Sequence, residues 1–467
     1  MQMNSEAPSV RLLSRPGHGP AVRVPAEPGR LPPGLTASSL GEGDLVLPAP
    51  VNAHDHGYGV RTLDFGGVDD ALEVWIAALR LRPRTDPYLE ALVAFSRLAQ
   101  TGVGATMHCH NSLNIDFLVE EAAAVSRAAA DVGIRLGLCC PLVDSDAWAY
   151  DGGPERLKPL LGEDDWSSLS QAAPRYAPVA RQIEAVEQVA AENAGPLVDV
   201  QFGPIGPQWC SNAMLEAVAE ASARSGRRIH MHLLESPRQR AWLDRRFPQG
   251  VVRFLDEVGL LSPRLAVAHG VQLRADEIEL LAGRGVQLVS NPSANLRLRS
   301  GVAPLSTVLR CRLDFAIGLD GTAFDDDQDL WRELRLAHLL HGGEDLVRPL
   351  TAACLFDAAT VTAARVLNMP SGQDYTVVDY AALTADSVFD DVDETEMLLS
   401  RMSGSFAKGL FVAGKEVMKD GLLRNVDFAA ARTELRQQAR ADLPRLERER
   451  PRAQALARAI RQYYAQW

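Results

Sequence analysis

Disulfide chemistry has little to work with in this chain. Its 467 residues hold six cysteines (Cys109, Cys139, Cys140, Cys210, Cys311 and Cys354) and no Cys-x-x-Cys pair. Neither a disulfide framework nor a paired-cysteine zinc site is expected. Positive charge is also scarce, with 48 Lys and Arg against 60 Asp and Glu for a net charge of −12. That balance speaks against a general attraction to nucleic acid. No apolar run approaches the roughly 20 residues that cross a bilayer. Met1 to Val10 has neither the basic nor the apolar region of a secretory signal. The phosphate-loop pattern, the Gly-x-Ser-x-Gly elbow and the His-x-Glu with Pro-Cys-x-x-Cys signature are all missing. What remains, 46% hydrophobic and 23% charged residues, reads as an ordinary globular protein of the reducing cytoplasm.

Residues 1–45 are rich in Pro and Gly, with β-like scraps at Val10–Leu13 and Ala21–Val24. From Leu45 to about Leu367 apolar strand-like runs alternate with stretches of helical period. The expected strands are Leu45–Ala53, Ala105–His110, Arg135–Pro141, Leu197–Phe202, Arg228–Leu233, Leu265–His269, Gln287–Ser290 and Leu313–Leu319. Eight such steps fit an α/β chain folded as a (β/α)8 TIM-like barrel, and a doubly wound open sheet is the alternative layout. The longest break, Asp144 to Ala180, follows the third strand, where a barrel builds its active site. It reads equally well as part of the substrate pocket or as a surface excursion with its own small core. Residues 374–423 look β-like again, at Tyr375–Asp379 and Leu410–Val417. From Ala429 to Trp467 the Arg/Glu/Ala-rich tail reads as helix interrupted by Pro444 and Pro451, with a solvated face.

Six of the ten histidines form three His-x-His pairs: His54/His56, His108/His110 and His230/His232. Residues i and i+2 of a strand point to one side, so each pair can present two imidazoles at a barrel mouth. His269 and Asp320 close two further expected strands. Imidazoles with one carboxylate and an open position suit a divalent metal that activates water.

Pro48-Ala-Pro-Val-Asn-Ala-His-Asp-His56 resembles the first-strand signature of the amidohydrolase superfamily. Later segments agree in order: His232-Leu-Leu-Glu235, Ala268-His269, Ser290-Asn-Pro-Ser-Ala-Asn295, Ser300-Gly-Val-Ala-Pro304 and Gly318-Leu-Asp-Gly321. Asp325–Arg335, and Leu63–Ile76 with Asp69-Asp70 and Glu73-Val-Trp75, resemble the branch of cytosine deaminase, the methylthioadenosine/adenosylhomocysteine deaminases and the triazine chlorohydrolases. The resemblance spans about residues 45–370. It departs from the family at Pro48-Ala49-Pro50, where Pro-Gly is usual, and at Gly372–Asp379, which lacks the usual Gly-Lys-x-Ala-Asp-Leu.

The resemblance implies a barrel over 46–370, a small β-sandwich domain built from both chain ends (1–45 and 371–425) and a helical tail over 426–467. It implies one divalent metal ion, zinc or alternatively iron, held by His54, His56, His232 and Asp320. The fourth-strand segment Val198–Gly203 has no lysine to be carboxylated. Glu235 would be the general acid/base, His269 would hydrogen-bond the attacking water or the tetrahedral intermediate, and Asp320 would accept the water proton. His110, Asn111, Gln208, Trp209 and Gln201 are the substrate-pocket candidates. His230 reads as a barrel-core residue, His108 as core or pocket, and Cys109, Cys139 and Cys140 as small buried hydrophobes. The expected activity is deamination of a small nitrogen-rich, heterocyclic molecule. The alternatives are amide or cyclic-amide hydrolysis, dehalogenation, or a scaffold without turnover. Relatives are often dimers or tetramers, so homo-oligomerisation is an option.

Overall fold

The computed structural model describes residues 9–467 apart from 113, 146–147, 172–175, 322–327, 344–345, 347 and 390. Its first strands, β1 (Ser9–Leu12), β2 (Val22–Pro25) and β3 (Leu45–Pro48), belong to a small mixed sheet. The barrel follows: β4 (Val51–Asp55), β5 (Ala105–Cys109), β6 (Arg135–Leu142), β7 (Val198–Pro204), β8 (Ile229–Leu233), β9 (Leu265–His269), β10 (Gln287–Ser290) and β11 (Asp314–Ile317). All eight pair parallel in sequence order. The edges β4 and β11 meet where the Leu319 and Asp320 amides donate to the His54 carbonyl at 3.1 and 2.9 Å. The alternation is therefore a barrel, not an open sheet. Helices such as Pro87–Gln100, Ile115–Val132 and Asn212–Ser225 pack outside it, each opened by an Asp, Asn or Ser side chain that accepts an early backbone N–H.

β12 (Tyr375–Val378), β13 (Ala407–Val412), β14 (Lys415–Lys419) and β15 (Leu422–Leu423) complete the small sheet, in the order β15-β14-β13-β12-β3-β1-β2. Both chain ends thus share one seven-stranded ladder. The expected strand Leu45–Ala53 is in fact two, one in each sheet. Pro50 has no N–H to donate, and the break falls between Pro48 and Val51. Leu410–Val417 likewise resolves into a hairpin, turning at Ala413-Gly414, both of which have positive φ.

Two helices form the tail, Phe428–Ala441 and Leu443–Tyr464. Pro444 lies in the first turn of the second, where a missing N–H costs nothing. Pro451 does not interrupt the helix, which runs through it. Nor is the tail merely solvated: Ala453, Leu456, Ile460 and Tyr464 are buried on one face. Leu456, Ile460 and Tyr464 share a cluster with Trp75, Ile76, Tyr150, Leu157, Leu169 and Trp209. The 144–180 segment therefore has its own small core, built against the tail, and also reaches the pocket through Trp148 and Tyr176. Among the described residues, no helix is long and apolar enough to cross a membrane.

Candidate active site

His54 is the penultimate residue of a strand that is buried along its whole length, and its Nδ1 lies 2.8 Å from His230 Nε2. His56 Nδ1 meets the Asn111 Oδ1 at 3.0 Å and the Cys109 carbonyl at 3.2 Å. His232 Nδ1 donates to the Ile205 carbonyl at 2.7 Å. With each Nδ1 engaged, each Nε2 faces inward. His54 and His56 Nε2 lie 3.2 and 3.3 Å from Asp320 Oδ1, and His232 Nε2 lies 3.3 Å from His56 Nε2. Ring orientation by a partner on the other nitrogen is the usual support of a metal-binding imidazole.

These donors fit a metal ion. His54 Nε2 and Asp320 Oδ1 are buried without a hydrogen-bond partner. The ligand atoms of His54, His56 and His232, and those of His54, His269 and Asp320, form two sets in which all lie within 4.8 Å of one another. Burial, with repulsion from the neighbouring rings, pushes His54 and His232 well below the ordinary histidine range. Burial alone is the main cause that takes His56 down to about 4. The rings are therefore neutral and keep lone pairs to give. Burial also holds the Asp320 carboxyl well above the carboxylate range. A cation at this point would restore its charge.

Two residues of the site occupy the left-handed region without being glycine, His269 at φ 72° and Asp320 at φ 64°. Such backbone costs of order 1–3 kcal/mol and clusters at functional sites. His269 Nδ1 is held by Asn295 Oδ1 at 2.9 Å, with Asn291 Nδ2 at 3.3 Å, and lies 3.8 Å from Glu235 Oε1. Glu235 is 2% exposed and its Oε1 has no hydrogen-bond partner. Burial first, and the charge of Glu73 second, raise its carboxyl to about 8.

The remaining candidates divide. His110 and Trp209 line the cavity above the cluster, but the His110 ring is spent on Glu121 at 2.9 Å and His108 at 3.2 Å. Asn111 also lines it, yet its amide is taken up by His56 and by the Tyr58 hydroxyl, which donates to Oδ1 at 3.2 Å. Gln208 is buried and borders a neighbouring depression instead. Gln201 does not come to the pocket: it donates to Asp199 and to the Val366 carbonyl, at 3.0 and 2.9 Å. His230 is more than core filling, since it holds His54. His108 is buried against Phe95, and a Cβ on Gly57 (φ +61°) would come within 2.3 Å of its Nδ1. Of the motif stretches, Asp325–Asp327 lies outside the described residues. Sequence reasoning gave no role to Asn291, Asn295, Tyr58 or Glu73. The polar run Asn291-Pro-Ser-Ala-Asn295 directly after a strand was the available signal for the first two.

A parallel barrel gathers imidazoles and a carboxylate at the C-terminal ends of its strands, where barrel enzymes keep their active sites, in a set that could hold a metal ion. The chain belongs to the amidohydrolase family, whose sequence model matches residues 45–373. It is 28% identical over 404 residues to the 5'-deoxyadenosine deaminase of Methanopyrus kandleri, covering 83% of this chain and 84% of that one. It is 28% identical over 337 residues to the 5-methylthioadenosine/S-adenosylhomocysteine deaminase of Thermococcus sibiricus, covering 71% of each. In fold it resembles an adenosine deaminase from Xanthomonas campestris with bound zinc, with TM-score 0.71, 23% identity, and 93% and 97% of the two chains covered. It also resembles an atrazine chlorohydrolase from Arthrobacter aurescens complexed with zinc, with TM-score 0.71, 21% identity, and 92% and 94% covered.

Proposed function

We propose that the protein is a metal-dependent aminohydrolase that removes an amine from a carbon of a small nitrogen-rich heterocycle. The observation that carries this reading is Glu235, a buried carboxyl with a free oxygen, three residues after His232 and 3.8 Å from the His269 ring. His54, His56, His232 and Asp320 would hold the ion. Zinc is the ion we assign and iron the alternative, since nitrogen and carboxylate donors suit both and two structural neighbours contain zinc. Such an ion supplies Lewis acidity that makes water a nucleophile at neutral pH. Asp320 takes the proton of the attacking water. Glu235 delivers a proton to the ring nitrogen beside the reacting carbon, and His269 hydrogen-bonds the tetrahedral intermediate. Asp320 then passes its proton to the amine, the carbon–nitrogen bond breaks with release of ammonia, and Glu235 recovers a proton from the hydroxyl of the intermediate as it becomes the product carbonyl. The relatives named as deaminases of adenosine derivatives favour this over amide cleavage or dehalogenation.

In this reading the barrel over 46–370 carries the chemistry, the sheet from 1–45 and 371–425 supports it, and the tail from 426 packs behind the pocket-wall residues Trp75, Ile76 and Trp209. A cytoplasmic setting is supported by six cysteines that are all free. The test is a pair of variants, with metal content and ammonia release as readouts across purines, pyrimidines, pterins and triazines. His232→Ala should lose metal and activity together. Glu235→Gln should keep metal while turnover falls by roughly 10²–10⁴-fold. Metal loss in Glu235→Gln would make Glu235 a ligand. Activity on acyl amides alone would sink the deaminase.

A further inference from the structure

Above the histidine–carboxylate cluster rises a cavity of about 450 Å³. Its walls are mostly apolar and aromatic, with Trp75, Trp148, Trp209, Leu72, Ile76 and Leu298 among them. The carboxylates among its described lining residues are Glu235 and Asp320, both on the floor. Higher up, the polar side chains are already employed. The Tyr58 hydroxyl donates to Asn111, the Tyr176 hydroxyl to the Ser145 carbonyl at 3.0 Å, and His110 bonds Glu121. Two groups remain unspent, and both are donors. Trp209, 7% exposed, has an Nε1–H with no acceptor. Among the described residues the Arg82 guanidinium has no carboxylate within ion-pair distance, and it lies over the Tyr58 ring, 4.9 Å from its centre. Arg80, the other cation of the wall, is by contrast paired with Glu449 at 3.3 Å.

Arg82 is also close to the chemistry. The Tyr58 ring stacks on His56 with centroids 6.0 Å apart, so His56, Tyr58 and Arg82 form a ladder from the floor to the guanidinium. A ribose hydroxyl both donates and accepts, whereas the two unspent wall groups, the Trp209 Nε1–H and the Arg82 guanidinium, only donate. A carboxylate presents acceptors only, and it fits a planar guanidinium at the edge of an aromatic slot.

We infer that the substrate is a flat heteroaromatic amine bearing a carboxylate, which Arg82 reads as the specificity-determining residue. This rests on the deaminase reading of the site.

The test compares pterin-6-carboxylate with pterin, and 5'-deoxyadenosine as the nucleoside, in metal-loaded protein. Equilibrium binding is measured by calorimetry and ammonia release in parallel. Pterin-6-carboxylate should bind about tenfold or more tighter than pterin, the margin of a charge-assisted hydrogen bond. Arg82→Gln should abolish that ratio. Arg82→Lys should recover part of it, which a purely structural Arg82 would not show. Arg80→Gln, whose charge is already neutralised, should keep it. A carboxylate preference that survives Arg82→Gln would come from the floor of the site and would overturn the inference, as would tighter binding of 5'-deoxyadenosine or no binding of the carboxylate probe. Arg82-dependent binding with no ammonia from any probe would leave the inference standing and count against the deaminase. Ammonia release without an Arg82-dependent preference would do the reverse.

Discussion

Glu73 is the acid that the proposed reaction does not use, set beside the one that it does. It is 1% exposed, its Oε1 accepts from the Ser236 and Tyr150 hydroxyls, and burial raises its own carboxyl. Its charge is the second cause, after burial, of the lift of Glu235 to about 8. Glu73→Gln should therefore move the alkaline limb of the kcat/KM–pH profile, where Glu235 loses the proton it must deliver, to lower pH, with the hydrogen bonds from Ser236 and Tyr150 still available to the amide oxygen. In metal-free protein the same shift bears on stability. A carboxyl raised in the folded state favours folding below its ordinary value of about 4.3, and that contribution is lost as pH rises towards 8. Urea denaturation at pH 5 and pH 8 should show a smaller loss in Glu73→Gln than in the parent. The three His-x-His pairs were legible because a strand's period of two fixes which residues share a side. The employment of Asn111 was not, because a loop amide turns towards whichever partner the tertiary fold brings, and no local pattern records that.

At the scale of elements, the eight barrel strands could be read because parallel strands are buried on both faces and appear as unbroken apolar runs. The same property hid the junction at Pro48–Val51, since β3 and β4 are both fully buried and read as one run. The Leu443–Tyr464 helix was harder, as its Arg and Glu mask a narrow apolar stripe at Ala453, Leu456, Ile460 and Tyr464. That stripe has a direct bearing on the pocket, because Tyr464 accepts from the Tyr150 amide at 3.1 Å and Tyr150 donates to Glu73. Ile460 is wholly buried. Ile460→Ala should cost about 2–5 kcal/mol in chemical denaturation, as for other large-to-small core changes. It should also raise KM more than it lowers kcat, because the wall loosens while the cluster on the floor is untouched.

The molecule as a whole is joined where the small sheet becomes the barrel. β3 pairs with β12 in one and, after two residues, β4 carries His54 in the other. The Ala49 amide donates to the Asp374 carbonyl at 2.9 Å, and the Asp374 carboxylate receives Arg135 from barrel strand β6 at 2.6 and 3.0 Å. A buried ion pair of this kind is costly to separate, so sheet and barrel have little freedom to open independently. Zinc at a hundredfold excess over its dissociation constant should add about 2.7 kcal/mol to the folded state. Hydrogen exchange should find that protection equally at β4 and at β3 and β12, and protection confined to β4 would show that the two units open separately. The small sheet, which carries none of the proposed chemistry, would then act as a remote gauge of occupancy, its amides reporting whether the histidines across the Pro48–Val51 junction are holding an ion.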